Sequence, residues 1–182
     1  MKPHEYMNEI YSAFRKRDAK KLRKLDESMM REASLAYSKK LFYMAVISYV
    51  LSKILSKPRF LEPHYKDRID AIEKSLETIS LCKDEDCPED KFVAHFQDLE
   101  KRIKNIEAED ARFVIDLLSK GKLKVAATLY AQGMSLGTAA EITSVEKHEI
   151  LSYAGHTMMF DRMKEEMTVQ ARLKALKALV EG

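Results

Sequence analysis

The 182 residues are enough for one generous hydrophobic core or two small ones, and a 46% hydrophobic share is ordinary for a globular chain. Five glycines, none before Gly121, and four prolines leave little material for hairpin turns or glycine-built phosphate cradles, which sets aside β-rich folds and nucleotide-loop enzymes. The formal charge of +3 sums opposed blocks: 14 Lys/Arg against 6 Asp/Glu over residues 1–60, 8 against 15 over 61–110, and 10 against 8 over 111–182, so a nucleic-acid footprint is allowed but not demanded.

From Tyr6 to Tyr37, Ile10, Phe14, Leu22, Leu25, Met29, Ala33 and Ala36 recur mostly three or four apart, which predicts a helical stripe interrupted near Asp18. Residues 41–56 predict a second helix with so few polar positions that it should lie centrally. Its apolar run is broken by Ser48, Ser52 and Lys53, too short and too amphipathic to span a bilayer, so no membrane partner and a cytoplasmic address are expected. Pro58 ends it. Pro63 suits the start of a third helix with Ile69, Ile72, Leu76 and Ile79 buried.

Cys82 and Cys87, spaced C-x4-C in an acidic loop and without the second pair a zinc site needs, are expected as two loop thiols, with a local disulfide as the alternative. Pro88 then opens a helix carrying Phe92, Phe96, Leu99, Ile103 and Ile106, an antiparallel partner for the preceding one. Phe113, Leu117 and Leu118 continue into another helix, with Gly121 at its end or at a bend.

Residues 122–132 predict a helix closed by Gly133 in the left-handed region, after which Ser135 caps the short helix "LGTAAEI". Thr143 to Glu146 fits a capping box for a third helix, whose Val145, Ile150 and Tyr153 would face the preceding one while Ala139 and Ala140 allow a steep crossing. Glu146, Lys147, His148, Leu151 and Ser152 would then point outward, to be contacted by a protein partner, a second copy of the chain or, alternatively, duplex DNA. Lys120, Lys122 and Lys124 before this unit and Arg162 and Lys164 after it are the candidate phosphate or partner contacts. With Glu149 nearby, two carboxylates against one lysine on the outward face favour protein over polyanion. Met163, Met167, Val169, Leu173, Leu176 and Val180 predict a final long helix over residues 159–180, docked on its own chain or serving as a dimerisation arm.

Three resemblances accompany this reading. "AQGMSLGTAAEITSVEKHEILSYAG" resembles the helix-turn-helix of small prokaryotic proteins proposed to be antitoxins, which implies a DNA-binding or partner-binding role; Ser144 stands where that motif usually has glycine. "ASLAYSKKLFYMAVISYVLSKIL" resembles one tetratricopeptide-type hairpin, with Ala33 and Ala45 at the close crossing and Tyr49 as its aromatic. Arg59 and His64 in "RFLEPH" have a spacing similar to the arginine and histidine of small helical nucleases that associate with nucleotidyltransferases, which implies an alternative as a ribonuclease.

His4, His64, His95, His148 and His156 form no metal motif, and Asp67/Asp70, Glu73/Glu77, Glu107/Asp110, Glu165 and Glu166 read as solvated helix faces. No catalytic residue, metal or cofactor is therefore expected. The predicted architecture is all-α, a multi-helix orthogonal or antiparallel bundle. Residues 1–118 form an N-terminal bundle, 119–156 a helix-turn-helix-like unit, and 157–182 a C-terminal helix.

Overall fold

The computed structural model describes residues 1–36, 38–82, 87–107, 117–162 and 170, and among them there are only helices, short 3-10 turns and connections. The all-α, multi-helix orthogonal bundle is as the periodicity predicts.

Helix α1, Pro3–Arg15, opens with proline in its first turn, and the Glu5 carboxylate accepts from the Lys2 amide at 2.8 Å. It buries Tyr6, Met7, Ile10, Ala13 and Phe14. The predicted break near Asp18 is present: Arg17 takes φ 56°, and the Asp18 carboxylate accepts from the Lys21 amide at 2.8 Å to start α2, Ala19–Ala36. Helix α3, Lys39–Leu55, begins at Ser38, whose hydroxyl accepts from the Leu41 amide. Twelve of its side chains are buried, and α1, α2, α5 and α6 all pack on it, so it is the central helix. Ala33 on α2 and Ala45 on α3 are both buried, and the Ser48 hydroxyl, itself buried, donates to the Leu22 carbonyl at 2.7 Å from α3 to α2.

Pro58 and Pro63 each open a 3-10 turn, Pro58–Leu61 and Pro63–Tyr65. Pro63 therefore does not begin the α-helix itself; its turn runs on into α4, Lys66–Ser80. Phe60 and Tyr65 anchor this connection, buried edge to face at 5.4 Å.

Helix α5, Glu89–Glu107, packs along α4 and buries Phe92, Phe96, Leu99, Ile103 and Ile106. The expectation of two separate loop thiols is corrected here. Cys82 and Cys87 form a disulfide with their Cα atoms 5.5 Å apart, tying the end of α4 to the start of α5. Their spacing alone leaves this open, since pairing depends on the chain reversing between two packed helices.

Among the described residues four helices follow: α6, Leu117–Ala131; α7, Leu136–Thr143; α8, Lys147–His156; and α9, Met159–Arg162. Gly121 does not end a helix. It is buried inside α6, where an added Cβ would stand 2.9 Å from Val50 Cγ2, so its role is the close approach of α6 to α3. The predictions made for Phe113, for the final long helix beyond Arg162 and for Lys164 fall outside the described residues.

Candidate functional site

The three helices α6, α7 and α8 form the unit expected to carry function. Gly133, at φ 98°, closes α6 while its own amide donates to the Tyr130 carbonyl and that of Met134 to the Leu129 carbonyl, each at 3.0 Å. The Ser135 hydroxyl caps α7 by accepting from the Thr138 amide at 3.0 Å. Helix α7 is only eight residues long and is held by packing, with Ala139 fully buried against α6.

The predicted capping box does not form. Thr143 is the last residue of α7; its buried hydroxyl donates back to the Ala139 carbonyl at 2.6 Å, and Glu146 occupies the cap position of α8 without a side-chain cap. A Thr hydroxyl at the end of a helix has an i−4 carbonyl within reach, and that bond removes it from the box. Ser144 makes the turn instead, with φ 53° and ψ 37° in the left-handed region.

Ile150 and Ala154 anchor one face of α8 in the core, whereas Tyr153 is half-buried and lines a cleft toward α2 and α3. The opposite face is open: Glu146, Lys147, His148, Glu149, Leu151 and Ser152 are all exposed, Leu151 at 46%. Beyond α8, Met158 is exposed, and Phe160 sets its ring edge-on to Tyr130 at 5.2 Å. The predicted lysines divide. Lys120 is exposed, but Lys122 pairs with Glu100 at 3.0 Å and Lys124 with Asp26 at 2.8 Å, so both are committed within the chain. Arg162 closes α9 with its backbone.

Arg59 and His64 occupy the two separate 3-10 turns. The His64 ring lies 4.0 Å from the Tyr65 ring and 3.5 Å from Glu62, while the Arg59 guanidinium stacks 4.9 Å from the Phe60 ring centre. Among the described residues no three His, Cys, Asp or Glu side chains converge as a metal site would require, and no helix is long and apolar enough to cross a membrane.

One cluster went unnoticed in the sequence. A cleft of about 380 Å³ lies where α2, α3, α6 and the end of α8 meet, lined among others by Arg23, Asp26, Tyr49, Lys53, Lys124 and Tyr153. Asp26 is 1% exposed; one carboxylate oxygen holds the Lys124 ammonium and the other has no hydrogen-bond partner. Burial pushes its pKa up to about 6 despite the opposing pull of Lys124. The ammonium groups of Lys124 and Lys53 lie 4.2 and 5.4 Å from the centre of the Tyr49 ring, and burial with the neighbouring Arg23 and Lys124 charges lowers the pKa of Lys53. The available signal was Asp26 itself: four residues after Leu22 and three before Met29, it occupies a core position of the α2 stripe.

No family model, no curated protein and no solved structure matches the chain.

Proposed function

We propose that this chain is a non-enzymatic regulatory module that binds protein through α8, and that the partner is a second copy of itself. The carrying observation is the shared exposure of Glu146, Lys147, His148, Leu151 and Ser152 on a helix whose other face is anchored by Ile150 and Ala154. An apolar side chain ringed by both signs of charge suits a polar-rimmed protein contact, and a self-complementary face can pair its lysine with a carboxylate of its mate. Sedimentation equilibrium tests this. The wild type should dimerise at micromolar concentration, and Leu151→Glu should weaken the dimer at least tenfold; a wild type that stays monomeric at ~100 μM overturns the reading.

The left-handed turn at Ser144 and the open face of α8 also favour a second reading, binding of duplex DNA with α8 in the major groove. Against it stand the commitment of Lys122 and Lys124 to Glu100 and Asp26 and the two carboxylates beside Lys147. Titration with mixed duplex DNA at ~50 and ~200 mM salt decides, because phosphate-driven binding must weaken steeply between the two.

A further inference from the structure

The cleft beneath α8 has two unmet demands of opposite kind. Asp26, which lines it, has one oxygen that is a buried acceptor in want of a donor, and Glu27 adds a second carboxylate to the lining. Nearby, Arg23 and Lys53 make no ion pair or hydrogen bond among the described residues, although both line the same cleft. The Tyr49 ring brings the two halves together, because both Lys53 and the Asp26-bound Lys124 set their ammonium groups against it.

A bare anion meets only half of this environment and is repelled by Asp26 and Glu27. A metal cation is opposed by Arg23, Lys53 and Lys124. A molecule that satisfies both halves carries a donor-bearing cation and an anion a few ångströms apart, which is the chemistry of a zwitterion. The volume of about 380 Å³ also leaves space for a side chain against Tyr49, Tyr153 and Met159, so the walls favour an aliphatic or aromatic one.

We propose that this cleft binds a free α-amino acid, with its ammonium donating to Asp26 and its carboxylate held by Arg23 and Lys53. Tyr153 belongs to α8, so the ligand touches the helix that presents the open face, but its binding stands apart from whatever that face contacts.

Thermal unfolding of the full chain with each of the twenty amino acids tests the proposal directly. At least one aliphatic or aromatic member should raise Tm by about 3–6 °C at ten times its Kd. The same molecule without its carboxylate, as the primary amine, should give no shift, and neither should its N-trimethyl form, which has no N–H to donate. Lys53→Met and Arg23→Met change partly or fully exposed positions and should each reduce the shift at least threefold, with the double variant abolishing it. No rise with any of the twenty overturns the site, as does an equal rise with the amine or a rise that survives the double variant. Each of these outcomes is independent of whether the chain dimerises.

Discussion

Ser144 opens the turn between α7 and α8. The sequence marks it as the turn position where glycine is customary, and the backbone there is left-handed, at φ 53° and ψ 37°. An L side chain in that region costs roughly 1–2 kcal/mol, which glycine avoids while bringing a somewhat larger loss of chain entropy on folding. Ser144→Gly is therefore expected to stabilise the protein by about 0.5–1 kcal/mol, seen as a higher urea midpoint at unchanged slope. A midpoint that stays put or falls would mean that the serine compensates its own strain. Thr143 illustrates the complementary limit: its pattern with Glu146 is that of a capping box, but the same hydroxyl serves the Ala139 carbonyl once α7 extends through it. A sequence motif cannot say which of two acceptors or donors the fold will bring closer.

At the scale of elements, the crossing of α3 and α6 rests on Gly121. Reading glycine as a helix terminator is sound for exposed helices, because glycine costs about 1 kcal/mol against alanine in a helix interior. Here the absence of a side chain is what the neighbouring helix requires: Val50 Cγ2 lies 2.9 Å from where a Cβ would stand, with Val46 Cγ1 at 3.4 Å. Val50 is a stiff, buried, β-branched neighbour. Gly121→Ala should accordingly destabilise the fold by about 1–2 kcal/mol net, the overpacking outweighing the gain in helix propensity. Chemical denaturation measures it; a more stable variant would show that the two helices can part without loss. The central place of α3 was legible from its scarcity of polar residues, whereas the helices that surround it were not, because an apolar face specifies burial and not the identity of its neighbour.

For the whole molecule, the pair of buried Asp26 and half-buried Lys124 joins α2 to α6, and the burial of Asp26 makes global stability depend on pH. Asp26 is raised to about 6 from an ordinary carboxylate value of 3.8, so the folded state binds its proton more tightly than the unfolded chain does. The stability linked to that proton is fully present below pH 3.8 and is lost as pH rises through about 6. Relative to Asp26→Asn, which cannot titrate, the wild type should gain on the order of 3 kcal/mol as pH falls from 7 to below 4. Parallel unfolding curves for the two proteins over that range check the sign, and a constant difference between them would show that Lys124 keeps the carboxylate ionised at its usual value.

The sequence by itself determined that the chain is helical, where most helices begin and end, and which stripes are buried, because period, caps and prolines act over a few residues and need no distant partner. It also located the outward side chains of α8, since anchoring Ile150 on one face leaves the opposite face to solvent. Only the tertiary structure chose the disulfide between Cys82 and Cys87 over two free thiols, and decided that Gly121 is a contact rather than an ending, that Lys122 and Lys124 are committed to Glu100 and Asp26, and that Arg23, Asp26, Tyr49, Lys53 and Tyr153 share one cleft. Those facts join residues as far apart in the chain as Arg23 and Tyr153. They depend on how helices cross, and crossing is set by the fit of whole surfaces that no local pattern encodes.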